Sequence, residues 1–138
     1  MYCRICLKET NYTEISYKVL DVSWFGKMQE IYAQYAKAKN LQSVLPIFLE
    51  EVNAANTEII GYFDNGENLE AFSLIYLYPS QNSCLADQFA WNYNNPRKKL
   101  GYRSVRSECA RYKRLGFDYL YLGETAPYKQ ELQGFEII

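Results

Sequence analysis

The chain contains no histidine, so neither a Ser-His-Asp triad nor a Cys-His pair can be assembled from its 138 residues. Cysteine is scarce. Of four residues, Cys3 and Cys6 form a C-x-x-C, while Cys84 and Cys109 stand alone. Structural zinc wants four ligands at characteristic spacings, and here there is no second pair. On a strand, Cys3 and Cys6 would also point to opposite faces. No metal is expected, and the thiols read as free and buried in a reducing compartment. No segment reaches the apolar length of a membrane span, and the N-terminus lacks the apolar core of a signal peptide. A cytoplasmic protein without a membrane or DNA partner is the expectation. No repeat or low-complexity stretch occurs.

What is present is ordinary in bulk. Apolar residues make up 49% and charged residues 22%, as in a soluble globular protein. The length suits one domain over 1–138 with a single core. Aromatics reach 17%, with 14 tyrosines. Half-buried sheet packing accounts for most of them, because tyrosine buries area and keeps a polar tip. The net charge of −1 hides an asymmetry. Eight of the fifteen basic residues fall between Arg97 and Arg114, against one acid, Glu108. Such a segment suits an anionic ligand or RNA, or a solvated helix face.

Periodicity orders the elements. Met1 to Leu7 and Ile15 to Val22 read as strands and are expected to form a hairpin across the polar Lys8–Thr13. Ser23 is the expected cap of a helix to Lys39, with Phe25, Met28, Tyr32, Tyr35 and Ala36 on one face and Asn40 at its end. A second helix is expected over Gln42 to Ala55, with Pro46 near its first turn. Strands follow at Thr57–Phe63, Leu69–Tyr78 and Cys84–Tyr93. They are joined by the Asn65-Gly66 turn and by Pro79–Ser83. The unbroken apolar run from Ala71 implies burial on both faces. Tyr102 to Arg114 reads as a helix with Tyr102, Val105, Cys109 and Tyr112 inward, ended by Gly116. Asp118–Leu122 is a strand expected parallel to Cys84–Tyr93. Pro127 opens a short helix to about Leu132 with Thr125 as its cap, and Phe135–Ile138 is a last strand. The class is α+β, a mixed, mainly antiparallel central sheet flanked by helices. The Asn94–Val105 stretch, a turn entering a basic helix, reads as an anion site.

This element order resembles the GNAT acyltransferase fold. Leu100-Gly101-Tyr102 and the run from Lys113 to Gly123 are similar to the C-terminal half of arginyl- and leucyl-tRNA-protein transferases. Tyr128-Lys129 followed by Gly134-Phe135 is similar to the last helix of those families and of many GNATs. The resemblance implies that the turn before the basic helix binds the pyrophosphate of acetyl-CoA or another acyl-CoA. The family pattern there is Gln/Arg-x-x-Gly-x-Gly/Ala. Lys98, Lys99, Gly101, Tyr102 and Arg103 occupy it, with Arg103 in place of the small residue. Ala90, Trp91 and Asn92 would line the donor, in a splay between the strands ending at Tyr93 and Leu122.

Acyl transfer to an amine needs a base for the ammonium proton and an acid for the leaving group. Tyr128 matches the family's acid. Asp87 and Glu124 are the candidate bases. Asp87 shares strand parity with Phe89, Trp91 and Tyr93, so burial among aromatics is expected to raise its pKa. Lys129 is expected to pair with Glu124 or to hold an anionic substrate. The implied activity is N-acyl transfer from a CoA thioester to a small-molecule or peptide amine. Two alternatives stand beside it: an aminoacyl-tRNA-dependent transferase gripping tRNA through Arg97, Lys98, Lys99, Arg103 and Arg106, and a non-enzymatic binding module of the same fold. A homodimer is left open.

Overall fold

The computed structural model describes residues 1–38, 49–65, 67–92 and 100–138. Among the described residues, seven strands are β1 (Tyr2–Cys6), β2 (Lys18–Leu20), β3 (Thr57–Phe63), β4 (Leu69–Tyr78), β5 (Ser83–Trp91), β6 (Tyr119–Glu124) and β7 (Phe135–Ile137). The helices are α1 (Phe25–Ala38), α2 (Leu49–Asn53), α3 (Leu100–Arg114) and α4 (Pro127–Gln130). The strands form one sheet in the order β2-β3-β4-β5-β6-β1-β7. Its β5–β6 pair is parallel, and the β1–β6, β1–β7 and β2–β3 pairs are antiparallel. This is the α+β class read from the sequence. The chain folds as two compact units: Met1–Ile15, Tyr76–Asp87 and Lys99–Ile138 form one, and Ser16–Ile75 with Gln88–Lys98 the other.

In the first unit, β1 alternates, burying Cys3 and Ile5 and leaving Tyr2, Arg4 and Cys6 at least partly open. It lies between β6 and β7, pairing Ile5 with Leu120 on one side and with Phe135 on the other. The expected hairpin between the first two strands therefore does not form. A hairpin needs a tight connection, but the backbone after β1 is committed elsewhere. The Leu7 N–H donates to Asp118 O at 2.8 Å, and the Ile15 N–H donates to the Ser107 hydroxyl at 2.9 Å.

Helix α3 begins at Leu100, two residues before the expected start. Its buried residues are Leu100, Ser104, Ser107, Glu108, Cys109 and Tyr112, while Tyr102 and Val105 are half-buried. An apolar reading of the stripe misses the i, i+4 row Leu100–Ser104–Glu108–Tyr112, because two of its members are polar. The helix ends as expected. Gly116 takes a φ of 95°, and the Phe117 N–H reaches back to Tyr112 O at 3.0 Å, the Schellman closure. Pro127 occupies the start of α4, but Ala126 is the N-cap and no side chain caps it, so the Thr125 cap is corrected.

In the second unit, β2 pairs with β3 through Lys18–Gly61, Val19–Ile60 and Leu20–Ile59. A Cβ at Gly61 would stand 2.7 Å from Leu20 Cδ1, so a larger residue there would push the leucine side chain aside. The cap expected at Ser23 belongs to Asp21, which starts a 3-10 turn over Val22–Trp24 leading into α1. Asp21 Oδ1 accepts from the Ser23 N–H at 3.0 Å and from its hydroxyl, and these bonds hold its carboxyl below the usual range. Met28 and Ile31 form the buried side of α1, and Trp24 meets Phe63 edge-on at 5.2 Å. Strand β4 is buried from Leu69 to Ile75, as its apolar run implied. Within the turn before it, Asp64 accepts from the Asn68 N–H at 2.9 Å and Glu67 takes a φ of 62°. Asn40, Pro46, Gly66 and the Asn94–Lys99 part of the expected anion turn lie outside the described residues.

Candidate functional site

The site residues of the first unit gather where α3, α4 and the end of β6 meet the loop after β1. Gly101 and Tyr102 lie in the first turn of α3, and the Gly101 carbonyl accepts from the Ser104 hydroxyl at 2.9 Å. The Tyr102 hydroxyl donates to Glu131 Oε2, and that carboxylate bond raises the phenol above its ordinary pKa. On one side of the Tyr102 ring stands Tyr128, with centroids 5.9 Å apart. The Arg106 guanidinium also contacts the Tyr102 ring, 4.6 Å from its centroid, and lies 5.6 Å from that of Tyr12. Tyr12, Arg106, Tyr102 and Tyr128 thus form one contiguous series.

Lys129 fixes the start of α4. Its ammonium donates to the carbonyls of Leu122 and Glu124, at 2.9 Å and 2.5 Å. Lys129 therefore meets the main chain at Glu124 and not its carboxylate, which corrects the expected side-chain pair. The Glu124 carboxylate is 69% exposed and lies 3.2 Å from the Met1 amine. Asp87, on β5, is exposed. Its expected burial among aromatics is corrected: the residue stands at an exposed position of the strand.

The donor-lining residues divide differently. Ala90 is fully buried and Trp91 and Asn92 are half-buried, all in the second unit. The Asn92 N–H is already given to Glu70 O at 2.8 Å, so it is not open to a ligand carbonyl. Lys98 and Lys99 lie outside the described residues. In the first unit the parallel register covers Ser83–Leu85 against Tyr119–Tyr121, and β1 runs antiparallel along β6 from the Tyr2–Glu124 pair to the Cys6–Tyr119 pair, with a register shift between Cys3 and Arg4.

Arg103 is exposed on the flank of α3 and, with Arg106, lines a cleft of about 300 Å³ completed by Asn11, Tyr12, Thr13 and Ile15. The loop residues escaped the sequence reading. They sit in a polar stretch without periodicity, and nothing local links Tyr12 to a helix so much later in the chain. The C-x-x-C is split: Cys3 is buried and its thiol raised by desolvation, whereas Cys6 faces Glu9 and Glu136, the three ligand atoms lying within 4.8 Å of one another. Glu136 is taken by Arg4 at 2.7 Å. Among the described residues no helix is long and apolar enough to cross a membrane.

No family model and no curated protein matches this sequence. Solved structures do match. A protein assigned as a GNAT-family acetyltransferase from Novosphingobium aromaticivorans aligns with a TM-score of 0.67 at 15% identity, covering 99% of this chain and 59% of that one. The ribosomal-protein-alanine N-acetyltransferase of Brucella melitensis aligns at 0.61 with 14% identity, over 84% of this chain and 85% of its own. The C-terminal domain of a protein assigned as lysylphosphatidylglycerol synthetase, from Agrobacterium fabrum, aligns at 0.64 with 11% identity over 90% of this chain. The chain spans 46% of that structure, about half its length. At these identities the likeness is one of fold, and the fold is GNAT-like.

Proposed function

We propose that the chain is an N-acyltransferase of the GNAT type, moving an acyl group from a CoA thioester to an amine. The observation that carries the reading is the packing of Tyr128 against Tyr102 at 5.9 Å. It joins the candidate acid to the helix turn that would hold the donor's diphosphate. The amine attacks the thioester carbonyl, and the tetrahedral intermediate collapses with loss of the CoA thiolate. Tyr128 gives its phenolic proton to that thiolate, while Glu124 or Asp87 takes the ammonium proton through solvent. The Lys129 tether to the carbonyls of Leu122 and Glu124 favours Glu124, since it fixes that residue's backbone to the residue beside Tyr128. The amide groups at Gly101 and the positive end of α3 would receive the diphosphate.

The test is acetyl-CoA titration followed by turnover with a panel of amines. Wild type is expected to bind and turn over, and Tyr128→Phe to lose about 10²–10⁴-fold in kcat, the usual share of general-acid catalysis, with acetyl-CoA affinity kept. Absence of acetyl-CoA binding to the folded wild type would end this reading.

The basic flank of α3 and the lysylphosphatidylglycerol synthetase likeness favour a second reading, in which the donor is an aminoacyl-tRNA. Binding of charged tRNA would then fall steeply with salt, because phosphate contacts release counterions.

A further inference from the structure

At the open face of β1 the first unit gathers a set of donor atoms that acyl transfer leaves unused. Strand β1 alternates, so Cys6 stands on the same face as Arg4, away from the buried Cys3 and Ile5. On β7, Glu136 is paired in register with Arg4 and bonds its side chain. The short turn Leu7–Glu9 brings Glu9 back to the end of β1. One ligand atom from each of Cys6, Glu9 and Glu136 lies within 4.8 Å of the other two. Among the described residues, neither the Cys6 thiol nor the Glu9 carboxylate has a hydrogen-bond or ion-pair partner.

Each of the three positions is fixed by bonds of its own. The Cys6 N–H donates to Gly134 O at 2.8 Å, and the Leu7 N–H donates to Asp118 O at 2.8 Å. The Leu7 carbonyl accepts from the Thr10 N–H at 3.1 Å and from its hydroxyl at 2.7 Å, which closes the turn that carries Glu9. Arg4 orients Glu136: its Nε donates to Oε2 at 2.7 Å, while the guanidinium lies 3.8 Å from the Tyr119 ring centroid and donates to the Tyr121 hydroxyl at 3.1 Å. The other carboxylate oxygen is left for a further partner, which is how a neighbouring side chain steers a metal-binding carboxylate. The charges also fall short of balance. A thiolate and two carboxylates would carry three negative charges against the one positive charge of Arg4, and Lys8 lies 3.7 Å from Asp118. A divalent cation among them makes the site neutral.

We propose that Cys6, Glu9 and Glu136 bind one borderline-soft divalent metal ion of the zinc class. One thiolate with two carboxylates suits such an ion, whereas magnesium and calcium take oxygen ligands alone. A tetrahedral zinc with bonds of about 2.0–2.3 Å holds its ligand atoms roughly 3.5 Å apart. The cluster therefore closes by about 1.3 Å at most, within the reach of the exposed Glu9 side chain. Three protein ligands leave the fourth position to water. The thiol proton passes to solvent as the sulfur–metal bond forms. The C-x-x-C thus supplies one ligand, and spacing alone could not show the site, because its other donors are carboxylates and Glu136 lies near the other end of the chain. The site shares no residue with the acyl-transfer reading and stands without it.

Cadmium titration of the reduced full chain, followed by the thiolate-to-metal charge-transfer band in the ultraviolet, tests it. Cys3, Cys84 and Cys109 have no exposed surface, so a band in the folded protein reports Cys6. One cadmium per chain is expected to bind, and zinc to displace it. Cys6→Ser is expected to abolish the band. Glu9 is exposed and without a side-chain partner among the described residues, so Glu9→Gln keeps the fold. It is expected to weaken cadmium at least about tenfold, the loss that even an outlying partner of a metal ligand causes. Zinc is also expected to raise the melting temperature of wild type and to leave that of Cys6→Ser in place, because it binds the folded chain. Magnesium at the same concentration is expected to shift neither. No band in folded wild type overturns the proposal. So does affinity unchanged by Glu9→Gln, which would mean a lone thiol only, or a magnesium shift equal to that of zinc.

Discussion

Cys109 sits on the inner side of α3 with no exposed surface, and burial pushes its thiol from an ordinary 9.0 up to about 12. The unfolded chain loses this proton near pH 9, whereas the folded chain keeps it. The contribution to stability is therefore complete below pH 9 and is lost as pH rises toward 12. The full shift corresponds to about 4 kcal/mol. Urea melts of wild type and Cys109→Ala across pH 8 to 11 should converge as pH rises, since the variant has no thiol to titrate. Parallel curves would show that the thiol is not insulated. Ser104, Ser107 and Glu108 belong to the same inner face, and they were not legible in the sequence. A polar residue on a helix reads as outward unless its partner is known. The partner of Ser107, the Ile15 N–H, is distant in the sequence.

Elements were more legible than residues. The strand at Thr57–Phe63, the long buried β4, the glycine stop at Gly116 and the parallel β5–β6 pair all carry local signals: alternation, an apolar run, a left-handed residue, a strand–helix–strand order. The pairing of β1 carries none, because partner choice is set by residues at the opposite end of the chain. Gly134 shows how tightly that pairing is held. Its φ is 71°, and a Cβ would stand 2.4 Å from the Cys6 carbonyl oxygen. Gly123 has a similar φ of 74° with open space around it. Gly123→Ala is therefore expected to cost ~1–2 kcal/mol, the left-handed penalty alone. Gly134→Ala should cost clearly more, because the Cys6 backbone must also move. Thermal melts of the two variants decide it, and equal losses would mean that the β1–β7 contact yields freely.

At the scale of the molecule, the candidate site is an assembly of segments that the sequence keeps far apart. Gly101, Tyr102 and Tyr128 could be named from motif-like stretches, and the structure brings Tyr102 and Tyr128 together. The cleft could not be named, since Asn11–Ile15 meets α3 only through the loop anchored after β1. Because β1 is hydrogen-bonded on both sides, the amides of β1, β6 and β7 should open together. Native-state hydrogen exchange is expected to give these three strands one common opening free energy. Ile5→Ala, at a fully buried position, should lower it by about 2–5 kcal/mol in all three. Independent exchange of β7 would contradict this.

The position of β1 also sets a timetable. Tyr2–Cys6 joins strands that follow it far along the chain, so on the ribosome both of its edges are paired only once Phe135–Ile137 have emerged. At ordinary elongation rates of 5–20 residues per second that wait is about 7–30 s. During it the Tyr-Cys-Arg-Ile-Cys segment has an unpaired edge and two uncovered thiols. A newborn chain of this kind has reason to meet a chaperone before β1 meets β6 and β7.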